Sequence, residues 1–344
     1  MSNDSLRIAM VAPPWLSLPP KGYGGIESMC ADLTDGLIAR GHEVHLFGSG
    51  KDGTDAEFVR TYHEPPIERI GESGPEIIHT ARVGDALERL DVDIVHDHSL
   101  AGPLLARGRS TPTVVTVHGP LDSELGYYYR LLGDTVHLVA ISEAQRQTDP
   151  DLPWAGTAYN AIPVDEYPFR EEKDDYVLFL GRMNPEKAAH LAIDAARKAG
   201  KRLLIAAKLN EPAEEAYFEE QVEPKLGDGV EWLGEATGER KLELLSRAQC
   251  LLFPIQWEEP FGLVMIEAMA CGTPVVALRR GSVPEIVTDG VTGWVRDDPE
   301  ELPAALEAVG DLDPRACRER VETDFDVPVM VSRYEAIYRD VLRR

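Results

Sequence analysis

Residues 250–277 read CLLFPIQWEEPFGLVMIEAMACGTPVVA: an apolar run, a polar turn, a helix-period segment and a second apolar run. Residues 250–253 have the length and composition of a buried strand, and residues 263–271 carry apolar side chains at helical spacing. Gly272 supplies the helix stop, after which Pro274-Val275-Val276-Ala277 begins a second strand. Strand, helix and strand in that order predict a parallel sheet with a helix packed on its face.

The alternation continues outward in both directions. In the first half, residues 6–11, 43–47, 93–96, 113–117 and 138–141 read as strands, and 26–40, ended by Gly41, and 75–90 read as helices. Residues 160–175 break the pattern with proline and charge. It restarts with strands at 176–180, 202–206, 250–253, 274–277 and 294–295. A chain of 344 residues exceeds one ordinary core, so two doubly wound α/β domains are expected, at 1–165 and 166–326, followed by a last helix at 327–342. No repeat of solenoid period and no low-complexity segment interrupts them.

Composition narrows the function. Sixty acidic against 35 basic residues give a net charge of −25, and no basic run is present to displace counterions from a nucleic acid or to dock on a membrane surface. Cys30, Cys250, Cys271 and Cys317 show neither disulfide nor metal spacing, which points to a reducing compartment. The apolar segment 6–11 is too short to span a bilayer and no signal peptide precedes it, so a cytoplasmic protein is expected.

Glu259 and Glu267 stand eight positions apart, the first on the loop entering the helix and the second in its early turns. Backbone amides around Phe261, Gly262 and Leu263 lie at the helix start, where they attract anions or hydroxyl oxygens. Two carboxylates, which accept hydrogen bonds from vicinal hydroxyls, flanking such a turn suit a molecule with sugars around a phosphate. On spacing alone, two such acids read more readily as a solvated loop acid and an exposed helix residue.

Three further stretches follow predicted strands. Gly24 and Gly25 end a long loop and open a helix, in a pattern that is neither a dinucleotide fingerprint nor a P-loop. Gly181-Arg182-Met183-Asn184-Pro185-Glu186-Lys187 puts a guanidinium and an ammonium at a strand's carboxyl end and a helix start, where both could neutralise a diphosphate. His118 lies just past a strand beside Gly119. By contrast, strand alternation keeps His96, Asp97 and His98 from converging on one ion, and Asp91-Val92-Asp93 merely leads into a strand, so no required metal is expected. Ser142 and Ser282 sit where a hydroxyl would cap a helix.

The run from Trp257 to Val275 resembles, at almost every position, the E-x7-E signature of the retaining glycosyltransferases of family 4. The glycine loop ending in Tyr23-Gly24-Gly25-Ile26-Glu27, the His118-Gly119 turn, Ser142-Glu143, Asn160 to Asp165, Arg182 with Lys187, and Ser282 to Glu285 are similar to that family's other motifs, in its order. Ala161, Ala188 and Ser282 stand where the family usually has glycine.

The resemblance implies a GT-B fold, with two Rossmann-like domains facing across a cleft, an acceptor domain followed by a donor domain, and the last helix, 327–344, crossing back to the first. It implies transfer of a sugar, with retention and without a metal, from a nucleotide diphosphate sugar of the UDP, GDP or ADP type to a hydroxyl acceptor: a sugar, glycan, lipid or small molecule. Arg182 and Lys187 would take the diphosphate charge with amides near Gly24 and Gly25. Glu259 and the amides of Phe261 to Leu263 would hold the transferred sugar, Glu267 the ribose, and His118 the donor sugar near the reacting carbon. A nucleotide-sugar epimerase of the same fold, or a non-catalytic nucleotide-sugar-binding protein, is the alternative.

Overall fold

The computed structural model describes residues 5–22, 24–122 and 124–344. The chain forms two compact units, Met1–Ala161 together with Val327–Arg344, and Ile162–Asp326.

In the first unit, β1 (Arg7–Val11), β2 (Glu43–Ser49), β3 (Glu57–Tyr62), β4 (Ile94–Asp97), β5 (Thr113–Val117), β6 (His137–Ala140) and β7 (Trp154–Thr157) form one sheet in the order β3-β2-β1-β4-β5-β6-β7. Every neighbouring pair is parallel, with Ile8 of β1 set between Val44 and Ile94. Helices α1 (Gly25–Ala39), α2 (Ser73–Leu87), α3 (Glu124–Leu132) and α4 (Glu143–Thr148) lie between the strands in sequence. Met29, Cys30, Leu33 and Leu37 recur at helical spacing on α1 and join Ile8, Met10 and Leu46 in the core.

The second unit repeats the plan. Strands β8 (Val177–Arg182), β9 (Leu203–Lys208), β10 (Val230–Trp232), β11 (Cys250–Phe253), β12 (Val275–Leu278) and β13 (Gly293–Arg296) take the order β10-β9-β8-β11-β12-β13, again all parallel. Its helices are α5 (Ala189–Lys198), α6 (Pro212–Tyr217), α7 (Gly238–Arg247), α8 (Leu263–Ala270), α9 (Val283–Ile286), α10 (Leu302–Glu307) and α11 (Pro314–Asp324). Phe179, Ile193, Ile205, Leu252, Val276 and Leu306 are among the buried residues that hold sheet and helices together.

Both sheets reverse direction in the same way. The chain winds from β1 out to β3 and returns on the other side of β1 with β4; it winds from β8 out to β10 and returns beside β8 with β11. Loops leaving the two strands at such a reversal part company, and the crevice at their carboxyl ends is where ligands bind in open parallel sheets.

Three strands have no counterpart in the sequence reading: β3, β7 and β10. β3 and β7 are the edges of the first sheet and β10 is an edge of the second. Edge strands bury one flank only, so Glu57–Tyr62 and Trp154–Thr157 keep partly exposed side chains and no sustained apolar run. Lys187, expected at a helix start, lies in the turn two residues ahead of α5. Asp91 and Asp93 have a structural use, since both pair with the Arg7 guanidinium, Asp93 at 2.8 Å.

The last helix, α12 (Val327–Leu342), belongs to the first unit, where Met330, Val331, Tyr334, Ile337, Tyr338 and Val341 complete its core. α1 accepts it closely: a Cβ on Gly36 would lie 2.5 Å from Val331 Cγ2. Glu335 fixes the register, accepting from Arg40 Nη1 at 2.7 Å and meeting His42 Nε2 at 2.8 Å. Burial pushes this carboxyl up, but the bonds from His42 and Arg40 outweigh it and hold it below the usual range. Such a group stabilises the fold above the ordinary carboxylate pKa of about 4.3 and loses that contribution as pH falls through the folded value. Glu335→Gln is therefore expected to cost about 1 kcal/mol at neutral pH, with the share of half-exposed Arg40 screened. Denaturant melts of the two proteins should converge in acid; a gap that stays constant with pH would show that charge is not what Glu335 contributes.

Candidate active site

Of the residues singled out in the second unit, Lys187 and Glu259 meet on the loops that leave its strand reversal. β8 ends at Arg182, and Asn184 Oδ1 accepts from Lys187 N at 2.9 Å, a side-chain-closed turn that presents the lysine. Ala188 follows with φ 58° and ψ 50°, a left-handed conformation that a methyl group disfavours by about 1–2 kcal/mol. The backbone thus adopts at Ala188 the geometry a glycine would favour. Across the reversal, β11 leads into the loop bearing Glu259, and α8 starts at Leu263 with Gly262 as its left-handed N-cap, φ 78°. No side chain caps that helix, so its first amides are directed by backbone geometry alone.

Lys187 Nζ pairs with Glu259 Oε2, which also accepts from Trp257 Nε1 at 3.1 Å. The ammonium lies 5.4 Å from the Phe253 ring centre and 5.5 Å from that of Trp257, within cation–π range. Glu259 is buried. A buried carboxylate without a cation costs several kcal/mol, so either partner removed leaves the other strongly destabilised.

Glu267 is also buried and pairs with Lys241 Nζ at 2.6 Å, with Tyr167 Oη at 3.4 Å. Arg182 donates through Nε to Glu214 Oε1 at 2.8 Å and through Nη2 to Glu211 Oε1 at 2.6 Å. Burial pushes the Glu214 carboxyl up, yet the amide of Asn210 and the Arg182 guanidinium together hold it below its usual range. Lys187 and Glu259 are thus brought into contact, whereas Arg182 and Glu267 each have their own partners. The Phe261 side chain is core, edge-on to Phe325 at 6.0 Å.

Ser282 does not cap α9; its hydroxyl donates to the Phe261 carbonyl at 2.7 Å and its amide to the Glu259 carbonyl at 2.9 Å. Beside it, Gly281 has φ 49°, and a Cβ there would lie 2.3 Å from Glu259 O and 2.5 Å from Glu259 N. Residues 281–282 therefore buttress the acidic loop.

In the first unit, Gly24 precedes α1 with φ 152°, and a Cβ would meet Leu16 Cδ1 at 2.5 Å; Gly25 is the first residue of the helix. Tyr23, at the same loop end, lies outside the described residues, as does Ser123. Burial pushes the Glu27 carboxyl in the first turn of α1 up to about 6, against the pull of its own amide. His118 follows β5, as expected, and burial pulls its imidazole down to about 4. Gln145 Nε2 donates to the carbonyls of Val117 and Gly119, each at 2.9 Å, holding the chain on both sides of the histidine. Ser142 caps α4 by accepting from Gln145 N at 3.0 Å. Ser-x-x-Gln is a capping-box spacing, the one sequence signal that could have revealed Gln145.

His96 on β4 and His98 just past its end have ring centres 4.0 Å apart, while Asp97 between them accepts from Ser99 N at 2.8 Å and Ser99 Oγ at 2.7 Å. Among the described residues no group of three or more His, Cys, Asp or Glu side chains is arranged to hold a metal ion.

Residues 23–148 match the family model described as Glycosyltransferase Family 4, and residues 165–319 the model described as Glycosyl transferases group 1. The chain is 30% identical over 370 residues to the alpha-maltose-1-phosphate synthase of Mycolicibacterium smegmatis, covering 91% of this chain and 92% of that one. The chain belongs to glycosyltransferase family 4. Among solved structures, this glycosyltransferase matches AviGT4, a glycosyltransferase involved in avilamycin A biosynthesis, with TM-score 0.75 and 28% identity over 98% of both chains. Anabaena Alr3699/HepE, solved in complex with UDP-glucose, matches with TM-score 0.74 over 98% of this chain and 100% of that one; at 18% identity the likeness is one of fold. The two Rossmann-like units are those of the GT-B glycosyltransferases. No helix among the described residues is long and apolar enough to cross a membrane.

Gly281→Ala is expected to destabilise the enzyme by about 2–4 kcal/mol, combining the left-handed backbone cost with a clash against main-chain atoms. Denaturant titration reads this directly, and an unchanged midpoint would mean that the Glu259 loop yields freely.

Proposed function

We propose that this glycosyltransferase moves a sugar, with retention and without a required metal, from a nucleotide diphosphate sugar to a hydroxyl acceptor. The observation that carries the reading is the Lys187–Glu259 pair at the uncapped start of α8, beside the strand reversal of the second unit. An ammonium, a carboxylate and the dipole of a helix start without a side-chain cap together complement a diphosphate bonded to a polyol.

In this reading, donor binding exchanges partners. Lys187 turns from Glu259 to the diphosphate, and Glu259 accepts hydrogen bonds from hydroxyls of the transferred sugar while the amides of Phe261, Gly262 and Leu263 donate to its oxygens. Arg182 shares the growing negative charge, having the reach of a long side chain that Glu211 and Glu214 now hold. Glu267 takes the ribose hydroxyls, and Gly24 and Gly25 let the start of α1 approach the phosphates. His118 contacts the sugar near the reacting carbon. The leaving diphosphate oxygen accepts the acceptor's proton as the glycosidic bond forms on the face that the phosphate leaves, so no protein nucleophile is called for. The UDP-glucose complex of Alr3699/HepE supports a nucleotide sugar as donor, with UDP, GDP and ADP sugars the candidates. Four buried, unbridged thiols support a cytoplasmic setting.

Lys187→Ala should slow transfer by roughly 10²–10³, the usual cost of removing one donor to a developing oxyanion. Turnover unchanged in that variant removes the diphosphate role. Glu267→Gln should weaken donor binding by about 1.5–3 kcal/mol, read by calorimetry; undiminished affinity rules out the ribose assignment. Thermal shift with UDP, GDP and ADP sugars identifies the donor, because a ligand that binds only the folded state raises its melting temperature. Exhaustive chelation should leave activity intact, and a loss restored by a divalent ion would overturn metal independence.

A further inference from the structure

Behind His118 lies a row of side chains that the transfer reading leaves unused. His118 Nε2 is 3.0 Å from His98 Nδ1, and His98 Nε2 is 3.2 Å from Met10 Sδ. The His98 ring packs on His96 with centres 4.0 Å apart. His96 is held at both nitrogens, Nε2 to Thr116 Oγ1 at 2.8 Å and Nδ1 to Tyr338 Oη at 2.7 Å, and Thr116 Oγ1 meets Tyr334 Oη at 2.9 Å. His98 is thereby fixed in the core of the first unit, wedged between a locked ring and a thioether.

Two facing imidazole nitrogens 3.0 Å apart need one proton between them. If His98 Nδ1 carried it, His98 Nε2 would be bare and its buried lone pair would face the lone pairs of Met10 Sδ. If His118 Nε2 carries it, His98 places its own proton on Nε2 and donates to sulfur, a weak acceptor but the only partner on that side among the contacts seen. The second arrangement sets a donor against an acceptor at both contacts of His98. Burial pulls His96, His98 and His118 all below the ordinary imidazole range, so the row is neutral at physiological pH and the choice is between tautomers.

We propose that His98 is a positioning residue that holds His118 as the Nε2–H tautomer, leaving His118 Nδ1 as a hydrogen-bond acceptor for a substrate hydroxyl. The inference rests on the reading in which His118 contacts the donor sugar, and it adds the direction of that contact: the sugar donates and the histidine accepts. A histidine held this way cannot donate from Nδ1 to a leaving group.

The test is the tautomer itself. In the full chain labelled with 15N-histidine, the His118 resonances, assigned by their loss in His118→Gln, should show Nε2 protonated and Nδ1 bare at neutral pH. Met10→Leu, which removes the sulfur acceptor without changing volume much, should shift the His98–His118 pair toward the other tautomer. His98→Leu should abolish the single-tautomer signature and lower kcat/KM by about tenfold or more. His98→Asn, which can restore an acceptor near the position of Nδ1, should recover most of that loss. A bare Nε2 on His118 in the wild type, or a His98→Leu protein with unchanged His118 resonances and unchanged kcat/KM, overturns the proposal. Failure of the underlying reading looks different: His118→Ala would then transfer sugar normally while the wild-type tautomer stays as stated.

Discussion

A parallel strand cannot return through a hairpin, so every strand in these two sheets must be left at its carboxyl end and re-entered from the opposite edge. That constraint collects the outgoing loops of a sheet along one edge and starts a helix there, with its unsatisfied amides pointing back. The two strand reversals then decide which loops have room around them. His118 follows β5, and Lys187 and Glu259 follow β8 and β11, each on a loop that leaves the carboxyl end of a buried strand.

Charge is distributed at the second-unit site with an economy that the net charge of −25 makes necessary. Each buried carboxylate has its own cation: Glu259 with Lys187, Glu267 with Lys241, Glu214 with Arg182. Burial favours neutralising an acid, and a hydrogen-bonded cation reverses that preference only at contact distance. The pairs therefore set opposite charges in contact throughout the site of a strongly acidic molecule. In the proposed reading they are also exchangeable, since a diphosphate offers a lysine or arginine more charge than one carboxylate does.

The core of this arrangement was legible in the sequence because it is local. Apolar runs mark the inner strands, helical spacing and Gly272 mark α8, and the acids and cations lie within a few residues of strand ends. What stayed hidden depends on partners distant in the chain. β3, β7 and β10 are strands only because a neighbour pairs with them at an edge. Ser282 looked like a cap because capping is the local use of a hydroxyl, whereas its true partner, the Phe261 carbonyl, is 21 residues away. Lys241 and Tyr167 carry no motif at all, and Gln145 carried one that was read only for its serine. His96 was placed at the end of a strand, yet nothing local foretold that Tyr334 and Tyr338 of α12 would close around it.

Ala188 shows how a fold can keep a conformation while changing the residue that suits it. The left-handed turn ahead of α5 is closed by Asn184, which accepts from Lys187 N, and Ala188 N donates to the Asn184 carbonyl at 3.2 Å. Two hydrogen bonds on consecutive amides, together with a fully buried methyl group, offset a backbone cost of about 1–2 kcal/mol. The local sequence prefers a glycine there, but the turn is set from Asn184 and from the core beneath it. The direction in which Lys187 leaves the chain is therefore governed by the asparagine side chain more than by the residue that follows the lysine.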